Sequence, residues 1–304
     1  MGRLTAIVLG SAAGGGFPQW NCRCPVCRLA WNGDVRVRPR TQASLAVSAD
    51  GRRWVLLNAA PDLREQLAAT PALHPQGDAH DLVRGSPIEA VVLTGAEVDQ
   101  VSGLLNLRER QPFVIHGTAA TLDTLADNSI FDVLAPDVVS RHAVAVELPF
   151  FVAGMQVELF TVPGKVPLYL EGGDPHTAEE SGANVGIELR ASGARFVFIP
   201  GAAAITPALM ARLAQADLLM FDGTLFTDDE MIRTGSGTKT GRRMGHMPIA
   251  GADGSLQALA GLSARRFYIH INNTNPILVD GSPERRQVEA AGFAVAEDGM
   301  EIAL

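Results

Sequence analysis

The three cysteines of this 304-residue chain, Cys22, Cys24 and Cys27, lie within one six-residue stretch. An odd number of closely spaced thiols suits disulfide pairing poorly, whereas three thiolates can occupy three corners of a tetrahedral zinc site. A site closed by sulfur ligands has no open coordination position, so we expect a structural zinc. The alternative is three ordinary reduced cysteines, which also fit a reducing compartment. The candidates for a fourth ligand are His270, Asn272 and Asn273.

A second group of polar side chains follows apolar runs that predict buried strands. Because neighbouring strands that end together form one cleft, these side chains are expected to converge. Carboxylates and imidazoles are suited to metal binding and to proton transfer. Each residue alone also has an ordinary interpretation as a solvated loop carboxylate, a helix cap or a hydrogen-bonded core histidine. The group consists of Glu97, Asp99, Asp222, His246 and His270.

The composition narrows the function classes. A net charge of −8 and a pI near 5.4 argue against a nucleic-acid-binding surface or an anionic-membrane surface. The contents of 47% hydrophobic and 19% charged residues are globular values. No apolar run in the sequence approaches bilayer length. Residues 5–9 run into a glycine-rich turn and predict a first strand rather than a signal peptide, so cytoplasm is the expected location.

Strands that alternate with helices must position these groups. We expect residues 1–304 to form a single α/β domain with a four-layer αβ/βα sandwich. Two polar, glycine-rich segments, 171–182 and 234–245, are predicted loops, and the second is a candidate lid. The predicted strands are 5–9, 43–47, 54–57, 88–94, 113–116, 144–148, 155–162, 185–189, 195–199, 218–221 and 267–271, with a closing hairpin of 293–295 and 300–303. The predicted helices are 61–69, 100–108, 119–134, 206–215, one beginning near 249 and one capped by Ser282.

The turn after strand 88–94 resembles the metallo-β-lactamase superfamily, whose motif there is T-H-x-H-x-D-H-x-x-G. The three histidine positions of the motif hold Gly95, Glu97 and Gln100. Asp99 is the one metal-ligand position of the motif that keeps its residue type. The resemblance implies the superfamily fold together with an incomplete dizinc site.

The chain as a whole resembles a bacterial family of pyrroloquinoline quinone (PQQ) biosynthesis proteins within that superfamily. The motifs that carry this resemblance span nearly the full length of the chain. They are LGSAAGGGFPQWNCRCPVC at 9–27, RTQAS at 40–44, LNAAPDLR at 57–64, FDGTLF at 221–226, MGHMP at 244–248 and HINNTNPIL at 270–278.

This resemblance implies roles for individual residues. The three cysteines match a structural zinc site, with Asn273 at the position of its fourth ligand. Asp99 and His270 match active-site metal ligands, and Asp222 with His246 matches an acid–histidine pair that transfers protons. Two further ligand positions are changed, because they hold Lys165 and Ala202. A two-metal hydrolase would need those ligands, so a residual metallohydrolase is a minor alternative.

The resemblance also implies a reaction, namely an iron-dependent, O₂-using hydroxylation of the tyrosine ring in the Glu–Tyr-derived PQQ precursor. Fe²⁺ would be held by Asp99, His270 and either Glu97 or His246, a mixed carboxylate and imidazole set. The anionic small-molecule substrate needs cationic partners. Other PQQ biosynthesis proteins and a second copy of the chain are candidate protein partners. The main alternative is a carrier involved in transport of PQQ or its precursor toward the periplasm. The candidate cations for the substrate are Lys165 and Arg64.

Overall fold

The computed structural model describes residues 2–75, 83–172 and 182–304, and fourteen strands dominate these residues. In chain order they are β1 (Thr5–Gly10), β2 (Ser44–Ser48), β3 (Trp54–Leu57), β4 (Ile88–Val92), β5 (Phe113–Gly117), β6 (Val139–Ala143), β7 (Phe150–Val152), β8 (Met155–Thr161), β9 (Val185–Ala191), β10 (Ala194–Ile199), β11 (Leu218–Asp222), β12 (Arg265–Ile269), β13 (Phe293–Val295) and β14 (Glu301–Ala303).

Helices connect many of these strands. The α-helices are α1 (Pro25–Trp31), α2 (Leu63–Ala69), α3 (Val98–Val101), α4 (Ala119–Ala126), α5 (Pro207–Leu213), α6 (Glu230–Arg233), α7 (Ser255–Ala258) and α8 (Pro283–Ala290). Short 3₁₀ helices occupy Pro71–Leu73, Ser102–Leu107, Ser129–Val133, Leu168–Leu170, Arg242–Met244 and Pro276–Leu278. Throughout the described parts of the chain, no helix combines the length and apolar character that crossing a membrane requires.

The strands form two mixed sheets that pack face to face. The first has the order β14-β1-β2-β3-β4-β5-β6 and the second the order β13-β12-β11-β10-β9-β8-β7. Leu57 and Val92 of the first sheet share a buried cluster with Leu159 and Ile187 of the second, so this cluster fills the space between the sheets. Separate apolar clusters cover the two outer faces, where helices such as α2 and α5 pack. This arrangement confirms the predicted four-layer αβ/βα sandwich.

Several local predictions are confirmed by turn and cap chemistry. The strands on either side of Asp50 and Gly51 pair antiparallel, as the hairpin signal predicts. Ser192 and Gly193 both have positive φ between β9 and β10, as a tight hairpin turn requires. Thr206 caps α5, because its hydroxyl oxygen accepts a hydrogen bond from the backbone N–H of Leu209. Pro207 follows at the first helical position.

Several local predictions differ from the structure. Residues 293–295 and 300–303 do not form a hairpin, because β13 pairs with β12 in the second sheet and β14 pairs with β1 in the first. The chain crosses between the sheets at Asp298, whose carboxylate accepts hydrogen bonds from Ser11 and Thr41. The strand expected at 144–148 lies at β6 instead, paired with β5. The helix expected near 249 begins at Ser255, and the cysteine segment continues into α1, which was not predicted.

The sheet topology brings the candidate residues to one edge of the molecule. In the second sheet β10, β11 and β12 are parallel, so their carboxyl ends lie side by side, with Asp222 opposite Ile269. The loop after β4 comes from the first sheet and carries Glu97 and Asp99. Of the predicted loop 171–182, residues 173–181 lie outside the described residues.

Candidate metal centre

The cysteine clip, defined as Cys22, Cys24 and Cys27, is built around the start of α1. Cys24 is the N-cap of this helix, and its sulfur accepts a hydrogen bond from the backbone N–H of Cys27 at 3.4 Å. The three sulfur atoms lie within 4.8 Å of one another, and Cys24 and Cys27 are buried. Sulfur ligands on one tetrahedral zinc ion would be about 3.8 Å apart, so small side-chain shifts bring this set to zinc geometry.

Asn273 lies directly on the cysteine clip. Its side-chain Nδ2 is 3.1 Å from the sulfur of Cys22 and 3.2 Å from that of Cys27. Rotating the amide by half a turn would present Oδ1, an oxygen ligand, to an ion held by the three sulfurs. The other candidate fourth ligands face elsewhere, since Asn272 donates to Thr274 and His270 contacts Asp99. The donor set fits zinc, and Asn273 stays the predicted ligand from outside the clip.

A second hydrogen bond, from the thiol of Cys24 to the sulfur of Cys27, shifts the pKa values of the two thiols in opposite directions. It raises the pKa of Cys24, with a further contribution from burial, and it lowers the pKa of Cys27, whose sulfur accepts it. A bound zinc ion would replace the shared proton, because coordinated thiols are deprotonated.

A cavity of about 360 Å³ contains the second candidate site, on the other side of the turn that carries Asn273. Glu97, Asp99, His246 and His270 all line it. Asp222 lies behind His246, fully buried. The five residues that the sequence singled out therefore do converge, although they come from both sheets.

Asp99 and His270 face each other on the wall of the cavity. His270 Nε2 lies 2.9 Å from Asp99 Oδ2, and the side chains are only 11% and 14% exposed. Burial disfavours the charged form of each group, yet their interaction keeps the pKa of Asp99 lowered and that of His270 raised. His270 has a φ of 58°, a left-handed conformation that is unusual outside glycine and often found at functional sites. One carboxylate oxygen and one imidazole nitrogen thus share a position that a cation can occupy.

Asp222 orients His246. The carboxylate of Asp222 lies 2.7 Å from His246 Nδ1, and the same oxygen, Oδ2, accepts the backbone N–H of Ala202 at 2.9 Å. The other oxygen, Oδ1, accepts the backbone N–H and the hydroxyl of Thr224 at 3.0 and 2.6 Å. Although burial opposes ionisation, His246 and these donors lower the pKa of Asp222. Because Asp222 is already occupied by four donors, we interpret it as the partner that holds His246 Nδ1 and leaves Nε2 for the cavity.

Glu97 is held differently. Its carboxylate lies 2.9 Å from Lys165 Nζ and accepts the backbone N–H of Leu168 at 3.1 Å. Lys165 also pairs with Glu171 at 2.9 Å, and despite its burial these carboxylates raise the pKa of Lys165. Metal binding by Glu97 stays a prediction that would require the side chain to leave Lys165. Of the two proposed substrate cations, Lys165 lines the cavity, whereas Arg64 is exposed on α2.

Sequence reasoning missed part of the cavity wall. Thr224 contacts both histidines, but a lone threonine two residues after Asp222 carries no distinctive pattern. The candidate lid, 234–245, lines the cavity with Lys239, Met244 and Gly245. Closure of this segment over a ligand stays a prediction.

Comparison with known proteins agrees with the fold. The family model described as a beta-lactamase superfamily domain matches residues 53–271, so the chain belongs to that superfamily. A diphosphatase from the PhnP family shares the fold, with a TM-score of 0.69 and 21% identity over 99% of this chain and 98% of that one.

Two relatives define the family more narrowly. Coenzyme PQQ synthesis protein B from Methylobacterium nodulans is 56% identical over 303 residues, which cover 99% of this chain and 100% of the relative. The crystal structure of Zn²⁺-bound PqqB from Methylobacterium extorquens has a TM-score of 0.96 and 53% identity, covering 99% of this chain and 100% of that one. The chain belongs to the coenzyme PQQ synthesis protein B family, which confirms the resemblance found in the sequence.

Proposed function

We propose that this chain acts in PQQ biosynthesis as an iron-dependent, O₂-using hydroxylase of the tyrosine ring in the Glu–Tyr-derived precursor. The observation that carries the proposal is the pairing of His270 Nε2 with Asp99 Oδ2 at 2.9 Å on the wall of a 360 Å³ cavity. We also propose that the cysteine clip holds a structural zinc, since the M. extorquens relative is described as Zn²⁺-bound. Both metals are assigned from the donor atoms present.

The proposed ligands of the iron are Asp99, His270 and His246. The imidazole rings of His246 and His270 are nearly parallel, with centroids 5.3 Å apart. Two histidines and one carboxylate with open positions are the ligand set of non-haem Fe²⁺ oxygenases. Glu97 is the alternative third ligand, and its ion pair with Lys165 argues against it. When bound, Fe²⁺ supplies the activation of O₂ beside the substrate.

The other residues of the cavity bind and orient the substrate. Lys165 and Lys239 offer cations to its carboxylates, while Leu168, Met231 and Met244 provide apolar surface for an aromatic ring. This division of polar and apolar lining suits an aromatic amino-acid derivative.

His246 has a competing assignment, because the family resemblance also implies proton transfer by the His246–Asp222 pair. In that case His246 Nε2 accepts the phenol proton, and Asp222 stabilises the resulting imidazolium at 2.7 Å. Both assignments use the same nitrogen atom, so they are mutually exclusive for one turnover step.

The test is anaerobic loading with Fe²⁺, followed by addition of O₂ and the precursor. Hydroxylation inserts one oxygen atom into an aromatic C–H bond, and the other is reduced to water by two electrons, so ascorbate is supplied as the reductant. We expect O₂ uptake and a product that has gained one oxygen atom. Asp99→Asn should abolish both, whereas Asp127→Asn, at an exposed position on the surface, should not.

Other outcomes would reject the proposal. Tight binding of the precursor without O₂ consumption would favour the carrier function, and cleavage of a phosphodiester or thioester would favour a metallohydrolase. Full iron occupancy and undiminished hydroxylation in alanine variants of Glu97, Asp99, His246 and His270 would exclude this cavity as the site.

A further inference from the structure

Thr224 lies against the two cavity histidines, two residues beyond the end of β11. The parallel register of β11 and β12 places Asp222 opposite Ile269, so the residues that follow run side by side. The backbone carbonyl of Thr224 accepts the N–H of Asn272 at 3.0 Å, which fixes the two chain segments to each other. The Thr224 side chain is thereby buried next to His270.

One hydroxyl group serves several neighbours there. Thr224 Oγ1 lies 2.6 Å from Asp222 Oδ1 and 2.9 Å from His270 Nδ1. It is also 3.1 Å from His246 Nδ1 and 3.0 Å from the backbone carbonyl of His270. A hydroxyl carries one hydrogen and two lone pairs, so it cannot donate to all of these atoms.

The distances indicate where the single hydrogen goes. The shortest contact is to the buried carboxylate of Asp222, and 2.6 Å is typical of a charge-assisted O–H···O⁻ hydrogen bond. The carbonyl of His270 is the only other oxygen in reach among the contacts described. Whichever oxygen receives the hydrogen, a lone pair of Thr224 then faces His270 Nδ1. That nitrogen must carry its own hydrogen, because two lone pairs would repel.

We propose that Thr224 is a positioning residue that holds His270 as the Nδ1–H tautomer when a metal is bound, so that Nε2 offers its lone pair beside Asp99. Asp222 does the same for His246, since it accepts from Nδ1 at 2.7 Å. The two histidines are therefore oriented by one connected group, in which Thr224 donates to Asp222 and accepts from His270. The proposal rests on the proposed function only in taking the cation of this cavity to be a metal ion.

The test uses zinc as a diamagnetic probe in the full-length protein with ¹⁵N-labelled histidine. Long-range ¹H–¹⁵N correlations report which ring nitrogen carries hydrogen, and titration measures the affinity for zinc beyond the equivalent held by the cysteine clip. We expect zinc-loaded His270 to be protonated at Nδ1 and metal-bound at Nε2. Thr224→Val should mix the tautomers and weaken zinc binding in the cavity by about 10- to 100-fold, the usual cost of losing such a partner.

Two variants separate the hydroxyl from general packing. Thr224→Ser keeps the hydroxyl and should restore both the tautomer and the affinity. Thr227→Val makes the same chemical change three residues away, where the hydroxyl contacts Asp229 and Arg233, and should change neither.

Three results would overturn the proposal. The first is zinc-loaded wild-type protein with hydrogen on His270 Nε2, a result that does not depend on any variant folding. The second is Thr224→Val with the wild-type tautomer and affinity. The third is Thr224→Ser as weak as Thr224→Val, which would assign the effect to packing. If the tautomers are as expected but iron-loaded protein produces no hydroxylation, the proposed function fails and the role of Thr224 stands.

Discussion

The cysteine clip and the cavity site are neighbours that are assembled in opposite ways. The sulfurs of the clip come from six consecutive residues, and the N-cap geometry of α1 holds them together. Asp99 and His270 are 171 residues apart and come from loops after strands of different sheets. The clip thus depends mainly on local chain geometry, whereas the cavity site exists only when both sheets are packed in register.

The two sites also differ in the chemistry that they permit. An ion in the clip would be enclosed by soft sulfur ligands and the buried Asn273, which would leave no open position for a reactant. The cavity presents imidazole and carboxylate groups to open space. One turn serves both, because His270 faces the cavity and Asn273, three residues later, faces the clip. Under our proposal, a structural metal lies beside a reactive one.

The largest expected effect comes from removing the cavity ligand His270. His270→Ala should eliminate iron binding in the cavity and lower hydroxylation by more than about 100-fold. This loss exceeds the one expected when a residue that only hydrogen-bonds to a metal ligand is removed. Zinc in the clip should stay at one equivalent by metal analysis. His142→Ala, which removes an exposed imidazole, is the matched control and should leave both metals in place. Loss of clip zinc in His270→Ala would show that the two sites are not independent.

Removing a clip ligand should release the zinc of the clip and leave iron binding in the cavity intact. Cys27→Ser replaces a fully buried sulfur, so we expect loss of the clip zinc and a decrease of more than about 2 kcal/mol in the free energy of unfolding. Denaturant titration with metal analysis measures both. Iron bound per folded molecule should be unchanged. Retention of zinc with unaltered stability would contradict a structural role for the clip.

Asp222→Asn tests how the cavity histidine is oriented. The substitution replaces one acceptor oxygen of the carboxylate with an amide nitrogen, which only donates. His246 Nδ1 then has an acceptor beside it in only one of the two amide orientations and loses its fixed partner. Iron affinity should decrease by about 10- to 100-fold if His246 is a ligand. If hydroxylation falls while iron affinity stays constant, His246 is the proton-transfer group instead. Clip zinc is the internal control in both cases.

The smallest expected effect is that of Glu97→Gln. Glu97 pairs with Lys165, and Glu171 remains as a second partner of this lysine. We therefore expect a change of less than about threefold in iron affinity, below the roughly 10- to 100-fold loss that follows when a residue holding a metal ligand is removed. Isothermal titration of Fe²⁺ under anaerobic conditions measures it. A decrease near 100-fold would instead establish Glu97 as a metal ligand.

The same contrast explains what the sequence could predict. The clip was evident because Cys22, Cys24 and Cys27 are adjacent in the chain, and strand runs and caps such as Thr206 follow local rules. The partners of the cavity residues were not evident. Glu97 and Lys165 are 68 residues apart, and nothing in either segment indicates that they form an ion pair.

Sheet membership was equally hidden. The two short apolar runs near the end of the chain are separated by a turn signal, which favours a hairpin in any local analysis. Their separation into different sheets depends on tertiary pairing with β1 and β12, which a local pattern does not encode.

Anomalous diffraction from crystals loaded anaerobically with Fe²⁺, with data collected at the iron and zinc absorption edges, tests both metal assignments in one measurement. We predict an iron peak bonded to Asp99 and His270 and a separate zinc peak among the clip sulfurs and Asn273. Iron among the clip sulfurs, or no iron between Asp99 and His270, would contradict these assignments.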